Sequence, residues 1–242
     1  MVPPPSPGAA PAAARVPWAA APQQWSVVLP VKGGPAAKSR LGGDAARRRG
    51  LALAMALDCL EAVLAAPGVR RALVVTQDPE VTGLAAAAGA RVLLPGPAGS
   101  RPPLDAAVAD GARGCEECGG HDGVAVLLAD VPALRPGELA SALSAVGSAL
   151  ADGARSALVP DAGGTGTALL AARRARDLRT AYGEGSAARH EALGARRLEL
   201  DLPGLRRDVD TPADLVTAQA LGLGRRTRAV LDGPADALAA VG

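Results

Sequence analysis

The sequence is poor in aromatic residues and in lysine. It contains no phenylalanine, and its only tryptophans and tyrosine are Trp18, Trp25 and Tyr182. A protein that binds single-stranded nucleic acid needs aromatic surfaces for base stacking and a concentrated basic face. Here the 26 cationic residues are interspersed with 24 acidic ones, and the net charge is +2. We therefore expect no nucleic-acid partner.

Long apolar runs are also missing. Charge, glycine or proline interrupts every stretch before it reaches the roughly 20 residues that span a bilayer. The N-terminus lacks the basic region and the uninterrupted apolar region of a secretory signal. Three cysteines, an odd number, do not make a disulfide framework and fit a reducing compartment. We expect a cytoplasmic protein with no membrane partner.

The chain divides into three parts by composition. Residues 1–24 contain seven prolines and show no periodicity, which predicts a disordered extension. Residues 25–232 alternate strand-like and helix-like segments, and 233–242 form a C-terminal tail. Predicted strands lie at 26–32, 72–78, 91–95, 123–130, 156–161, 165–172 and 198–202, and predicted helices after Asp44, at 79–88, 103–113 and 136–150, and after Thr211. This alternation predicts an α/β fold, a three-layer αβα sandwich around a mostly parallel sheet.

The segment after the first predicted strand has the composition of a phosphate-binding loop. Two glycines allow close backbone approach, and three cations lie within nine residues, including both lysines of the chain. It is not a Walker A loop, because the Gly-Lys-Ser/Thr ending is missing. The competing interpretation is an ordinary turn with solvated charges. The candidate nucleotide-binding residues here are Pro30, Lys32, Gly33, Lys38 and Arg40.

Acidic residues follow the fourth predicted strand and recur near the C-terminus. Asp130 directly follows an apolar run, where a carboxylate is suited to hold Mg²⁺ together with substrate phosphate oxygens. The alternative is that Asp130 only caps the next turn. Asp208 and Asp210, at i and i+2 on an extended chain, point to the same side, so one of them could face Asp130 across a shared metal. The segment 211–214 that follows has the residues of a helix start.

Five motifs, in this order, resemble the CofC/FbiD family. They are LPVK…AKSRL at 29–41, LLADVPAL at 127–134, GTGTALL at 164–170, GEGSAARH at 183–190 and DVDTPADL at 208–215. The family comprises the guanylyltransferases of deazaflavin coenzyme F-420 biosynthesis, related to glycosyltransferase-A-like nucleotidyltransferases. The resemblance extends from about Ser26 to about Leu231.

The resemblance implies a nucleotidyltransferase domain over 25–232 that joins GTP to a phosphorylated three-carbon acid and releases pyrophosphate. The acid is phosphoenolpyruvate or 2-phospho-L-lactate, and the alanine and arginine bias favours phosphoenolpyruvate. Asp130 and Asp208 match the metal-binding acids for Mg²⁺, with Asp210 beside them. Lys32 and Lys38 join the two acids as catalytic candidates, because they would steady the triphosphate. The family also suggests a homodimer.

Residues 183–190 are expected to bind the phosphorylated acid. Thr167, Gly183 and Ser186 match the family's positions for it. If Ser186 caps a short helix over 187–193, free backbone N–H groups form an anion site, with Arg189 and His190 in the first turn. The alternative for His190 is a surface or capping histidine.

Asp105 stands where many family members have asparagine, in Pro-Leu-Asn-x-Ala-Ile. We hypothesise that its carboxylate accepts hydrogen bonds from guanine N–H groups or ribose hydroxyls.

Other interpretations stay open. Cys115, Cys118 and His121 are three possible zinc ligands, but a structural site nearly always needs four, so a plain loop is the default. The chain could instead be a molybdenum-cofactor or sugar-phosphate nucleotidyltransferase of the same architecture. A non-catalytic nucleotide-binding protein is the alternative from another class. Residue types do not separate phosphoenolpyruvate from 2-phospho-L-lactate or 3-phosphoglycerate.

Overall fold

A computed structural model describes residues 23–32, 38–117 and 123–233. The predicted extension before residue 23, Gly33, Cys118, His121 and the tail after residue 233 lie outside these residues. In order, the elements are β1 (Trp25–Pro30), α1 (Ala45–Leu64), β2 (Val69–Val75), α2 (Pro79–Ala87), β3 (Arg91–Leu93), α3 (Pro103–Glu117), β4 (Gly123–Leu127), α4 (Pro136–Ala151), β5 (Ser156–Pro160), β6 (Thr167–Ala172), α5 (Ser186–Ala192), β7 (Ala195–Arg197), α6 (Pro203–Arg206), α7 (Pro212–Leu221) and α8 (Arg225–Asp232). Short 3-10 helices lie at Ser39–Leu41 and Ala175–Asp177.

The strands form one mixed sheet in the order β3-β2-β1-β4-β6-β5-β7. Strand β6 runs antiparallel to β4 and β5, whereas the pairs β1–β2, β2–β3, β1–β4 and β5–β7 are parallel. The chain moves outward from β1 to β3 and then returns to place β4 on the other side of β1. The carboxyl ends of β1 and β4 therefore flank the crevice where open α/β sheets bind ligands.

Helices cover both faces of the sheet and create two apolar layers. On one face, Val27 and Leu127 of the sheet pack with Leu60 of α1 and Leu143 of α4. On the other face, Val28, Leu73 and Val126 pack with Val108 and Ala112 of α3. The three-layer α/β sandwich with a mostly parallel sheet is confirmed.

Local sequence signals explain where several helices begin. The Asp44 carboxylate accepts a hydrogen bond from the Arg47 N–H at 2.7 Å and caps α1. Thr211 and Asp214 form the predicted capping box of α7, with Pro212 in the first turn. No helix in the described part of the chain is long and apolar enough to cross a membrane.

One predicted strand is wrong. Residues 198–202 are not a strand, and β7 lies just before them at Ala195–Arg197, where it pairs with β5. The Leu198 N–H still donates to the Leu158 carbonyl at 2.9 Å, but pairing then ends. Leu198, Leu200 and Leu202 pack partly buried against the core. Their alternation thus reflects packing of an irregular segment.

Candidate active site

Three separate segments converge at the crevice beside β1 and β4. The Lys38 Nζ lies 2.7 Å from Asp130 Oδ2 and 2.6 Å from Asp210 Oδ1, and the lysine side chain is only 13% exposed. Lys38 has a φ of 53°, a left-handed conformation that is uncommon for a residue with a side chain. The Val209 N–H donates to the Asp130 carbonyl at 3.0 Å and holds the segment before α7 beside the segment after β4. The fold therefore places one cation between two of the predicted metal-binding acids.

The electrostatics of this cluster show an excess of negative charge. Burial, reinforced by the carboxylates of Asp130, Asp210 and Asp161, raises the pKa of Asp208 from 3.8 to about 6. Burial alone would lower the pKa of Lys38, but its ion pairs with Asp130 and Asp210 outweigh burial and leave the pKa above its usual 10.5. One ammonium group does not fully compensate the surrounding carboxylates.

The carboxylates have the chemistry that a hard divalent cation requires. Asp130 Oδ1 is buried and has no hydrogen-bond partner among the described residues. Within the described ranges, no three His, Cys, Asp or Glu side chains are grouped closely enough to hold a metal ion. Mg²⁺ commonly binds through one or two protein carboxylates and completes its shell with water and phosphate oxygens. The residues thus fit a Mg²⁺ ion that binds together with a phosphorylated substrate.

A cavity of about 970 Å³ opens beside the ends of β1 and β2. Its walls include four of the predicted site residues: Pro30, Lys32, Asp105 and Gly183. Arg40 is exposed in the 3-10 helix Ser39–Leu41 and is not part of the wall. A volume of this size is ample for a nucleotide.

Sequence reasoning missed the part of this wall that follows β2. Thr76, Gln77 and Asp78 line the cavity, as does Arg49 of α1. Asp78 also caps α2, because its Oδ1 accepts hydrogen bonds from the N–H groups of residues 80 and 81. The missed signal was their position: β2 neighbours β1, so residues directly after β2 reach the same crevice.

Asp105 anchors a loop on the cavity wall. It is buried in the first turn of α3, and its Oδ1 accepts a hydrogen bond from the Tyr182 N–H at 3.2 Å. Tyr182 and Gly183 both line the cavity beside it. Asp105 therefore has a positioning role that its place in the sequence did not predict, while its contact with the nucleoside stays a hypothesis.

The predicted cap of α5 is wrong. Gly185, with a φ of 69°, is the N-cap, and Ser186 is the first helical residue. The Ser186 hydroxyl turns toward Thr167 Oγ1 at 3.1 Å, so it is not available for capping. The N–H groups of Ser186 and Ala187 already donate to the carbonyls of Gly183 and Thr165. These two N–H groups are therefore not free, and the prediction that they form an anion site is wrong.

The predicted residues for the phosphorylated acid nevertheless lie together. Thr167, Ser186 and His190 are buried, and the Thr167 Oγ1 lies 2.9 Å from His190 Nδ1. The surface alternative for His190 is wrong, because its side chain is fully buried. Arg189 is exposed, and its guanidinium donates to the carbonyls of Ala181 and Tyr182 at 3.0 Å.

Cys115 is the one candidate zinc ligand in the described residues. It is buried in α3, so the expected loop is wrong at this residue, and it packs in the core layer of that face.

Comparison with known proteins identifies the family. Residues 33–199 match the model of the MobA-like NTP transferase domain. Phosphoenolpyruvate guanylyltransferase of Salinispora arenicola is 49% identical over 207 residues, which cover 85% of this chain and 92% of that protein. The Streptomyces coelicolor protein of the same name is 46% identical and covers 86% of this chain and 95% of its own length. The chain belongs to the phosphoenolpyruvate guanylyltransferase family.

Membership of this family makes the chain a nucleotidyltransferase. Solved structures agree on the fold. A CMP:2-keto-3-deoxy-manno-octonic acid synthetase complexed with CTP superimposes with a TM-score of 0.52 at 17% identity, over 82% of this chain and 98% of the synthetase. A 4-diphosphocytidyl-2C-methyl-D-erythritol synthase gives 0.52 at 16% identity, over 82% and 99%. The predicted glycosyltransferase-A-like nucleotidyltransferase fold is confirmed.

Proposed function

We propose that this protein transfers GMP from GTP to the phosphate of phosphoenolpyruvate and releases pyrophosphate, as a step of coenzyme F-420 biosynthesis in the cytoplasm. Two relatives with 46–49% identity over most of the chain carry the name phosphoenolpyruvate guanylyltransferase. The observation that carries the proposal is that one loop, residues 181–183, joins the nucleotide-sized cavity to the Thr167–Ser186 pair. A nucleotide in the cavity and an acid at that pair would share this wall.

The chemistry of the transfer suits the residues that converge here. The phosphate of the acceptor is already an anionic nucleophile near neutral pH, so its attack on the α-phosphorus of GTP needs no general base. The barrier comes from bringing two anions together, and alignment with compensating positive charge lowers it. In this proposal, Lys32 lies on the cavity wall beside the triphosphate, and Lys38 is the cation closest to the carboxylate cluster.

Asp130 and Asp208 would hold Mg²⁺ in this enzyme, with Asp210 beside them in its ion pair with Lys38. When bound, the ion supplies positive charge that offsets the charge of the triphosphate and the acceptor phosphate. The unpartnered Oδ1 of Asp130 and the raised pKa of Asp208 support this assignment. A bound cation would give that oxygen a partner and would stabilise the charged form of Asp208. Lys38 then contributes its positive charge beside the same carboxylates.

Thr167, Gly183 and Ser186 are proposed to bind the acceptor. Gly183 has a φ of 110°, and a side chain at this position would press against the Arg189 guanidinium. Gly183 also lines the cavity, so its backbone faces the space proposed for the ligands. Arg189 acts chiefly by holding the carbonyls of residues 181 and 182.

A screen of nucleotides against acceptors tests the proposal. GTP, ATP, CTP and UTP are each combined with phosphoenolpyruvate, 2-phospho-L-lactate, 3-phosphoglycerate, a molybdenum-cofactor precursor and a sugar phosphate, and pyrophosphate release is followed with and without EDTA. We expect release with GTP and phosphoenolpyruvate, and its loss in EDTA and in Asp130→Ala. A different preferred pair, full activity in EDTA, or no release with any pair would contradict the proposal.

A further inference from the structure

A buried chain of hydrogen bonds runs from the loop 181–183 to the Thr167–Ser186 pair. The Ala181 N–H donates to His190 Nε2 at 2.9 Å. On the other side of the ring, His190 Nδ1 lies 2.9 Å from Thr167 Oγ1, which lies 3.1 Å from Ser186 Oγ. The Tyr182 ring packs edge-on against the imidazole, with ring centroids 4.9 Å apart. The histidine is therefore enclosed, and both ring nitrogens are hydrogen-bonded, Nε2 to the Ala181 N–H and Nδ1 to the Thr167 hydroxyl.

The backbone donor determines which ring nitrogen carries the proton. An N–H group has only a hydrogen to offer, so Nε2 must present its lone pair to Ala181. Burial lowers the pKa of His190 from 6.5 to about 4, so the ring is neutral near pH 7. A neutral imidazole with a lone pair on Nε2 carries its hydrogen on Nδ1. The hydrogen on Nδ1 is then donated to Thr167 Oγ1.

This tautomer leaves the two hydroxyls with one hydrogen to spare. Thr167 Oγ1 already accepts from His190, so its own hydrogen either goes to Ser186 or points elsewhere. If it goes to Ser186, the Ser186 hydrogen is left over; if Ser186 donates to Thr167, the Thr167 hydrogen is left over. In both arrangements one hydrogen of the pair has no acceptor among the described residues, since no further hydrogen bond of either hydroxyl oxygen is present. Buried donors rarely stay unpaired, so this hydrogen needs an acceptor from outside the described residues, either a water molecule or an oxygen of a ligand.

The opposite tautomer would remove that donor. A lone pair on Nδ1 would take the Thr167 hydrogen, and Ser186 would then donate to Thr167. No hydrogen would be left for a ligand. The identity of the ring nitrogen that carries the proton thus decides whether the hydroxyl pair is open to an anion.

We propose that His190 is a positioning residue that holds the Nδ1–H tautomer and thereby aims one hydroxyl hydrogen of the Thr167–Ser186 pair at an anionic oxygen of the acceptor. The proposal rests on the proposed function, because the acceptor is the phosphorylated acid. It also changes the role expected of His190. The histidine does not touch the acceptor; it acts through Thr167 and fixes the loop that carries Gly183.

Nuclear magnetic resonance of the imidazole nitrogens tests the tautomer in the wild-type protein. The chain has only two histidines, His121 and His190, so a ¹⁵N-histidine sample gives two imidazole patterns, and His121→Ala assigns them. We expect a neutral Nδ1–H ring for His190 at pH 7.5. An Nε2–H ring, or a charged ring, would overturn the proposal. This readout needs neither activity nor a variant of the site.

Steady-state kinetics test the role toward the acceptor. Asparagine at 190 places an amide N–H near the position of Nδ1, whereas glutamine places its carbonyl near the position of Nε2 and loses the donor to Thr167. We expect His190→Gln to raise KM for phosphoenolpyruvate by about two-fold to 10-fold, the range for losing one neutral hydrogen bond, because the spare hydrogen remains but is no longer aimed. The KM for GTP should be unchanged. His190→Asn should recover most of the loss.

A double-mutant cycle separates this role from a structural one. Thr167→Val should raise KM for phosphoenolpyruvate by itself, and adding His190→Gln to it should cost nothing more. Thr227→Val is the control, because Thr227 is also buried but its hydroxyl has no hydrogen-bond partner among the described residues. Its kinetics should match the wild type. If His190→Gln raised KM for phosphoenolpyruvate equally in the wild-type and Thr167→Val backgrounds, the proposal would be overturned. A parallel rise in KM for GTP would overturn it as well.

The outcomes also distinguish this inference from the proposed function. A wild-type protein that releases no pyrophosphate with any nucleotide and acid contradicts the proposed function. An active wild type with an Nε2–H ring contradicts only the role of His190. If His190→Gln does not fold, the tautomer measured in the wild type decides.

Discussion

Replacing Asp208 with asparagine is expected to stabilise the protein without metal or nucleotide while removing its activity. Asp208 is partly buried among the carboxylates of Asp130, Asp210 and Asp161, and Lys38 contacts two of these and not Asp208 itself. Asparagine has nearly the same size and carries no charge. The substitution therefore removes repulsion from the resting protein and removes a proposed metal ligand from the active one.

The size of the effect follows from the pKa. Asp208 titrates at about 6 in the folded protein and at 3.8 in an unfolded chain, so the folded state binds the proton more tightly. This carboxyl therefore favours folding fully below pH 3.8, and that stabilisation is lost as the pH rises through 6. The full difference corresponds to about 3 kcal/mol, which partial exposure to solvent reduces to about 1–2 kcal/mol. Asparagine should recover that amount at pH 8 and almost nothing near pH 4.

Chemical unfolding in EDTA measures the difference in unfolding free energy between the wild type and Asp208→Asn directly. Urea transitions of the wild type and Asp208→Asn are compared between pH 4 and pH 8, with Asp201→Asn as a matched control at an exposed carboxylate. We expect the control to follow the wild type. Relative to the wild type, Asp208→Asn should gain stability as the pH rises from 4 to somewhat above 6 and keep that gain up to pH 8. An asparagine variant that is less stable than the wild type at pH 8, or a gain that does not depend on pH, would refute the reasoning.

Three further predictions concern the lysine, the core and the loop anchor. Lys38→Arg should lower the rate of pyrophosphate release by at least about ten-fold, because a planar guanidinium does not fit the compact double ion pair; an unchanged rate would count against a specific role. Gly111→Ala should lower the free energy of unfolding by about 1–3 kcal/mol, since an added methyl would collide with Val28 and Val75; an unchanged urea midpoint would contradict the close packing of α3 on the sheet. Asp105→Ala should raise KM for GTP and weaken the preference for GTP over ATP, and no change in either would remove Asp105 from the nucleotide site.

The layered fold was predictable because its strands are buried on both faces. Such strands appear in the sequence as short apolar runs, for example 124–127, which is fully buried in β4. The wrong prediction of a strand at 198–202 also came from interpreting buried apolar residues as a strand. Alternating leucines report which side chains are buried, but strand pairing depends on which neighbour has a free edge, and β5 offers its edge to residues 195–197.

The charged half of the candidate site was also predictable in outline. Residues after β1 and β4 must meet at the crevice, so the approach of Lys38 to Asp130 follows from topology. The other half depends on backbone groups. Asp105 accepts from the Tyr182 N–H and His190 from the Ala181 N–H. Every residue except proline has such a donor, so residue types carried no signal for these contacts.

Isotope transfer tests the central claim most directly. Phosphoenolpyruvate labelled with ¹⁸O in its phosphate is incubated with GTP, Mg²⁺ and the protein. The ¹⁸O content of each product is then measured by mass spectrometry. If the acceptor phosphate attacks the α-phosphorus of GTP, all label appears in the product that joins GMP to phosphoenolpyruvate, and pyrophosphate carries none. Label in pyrophosphate, or no joined product at all, would contradict guanylyl transfer to the phosphate of the acid.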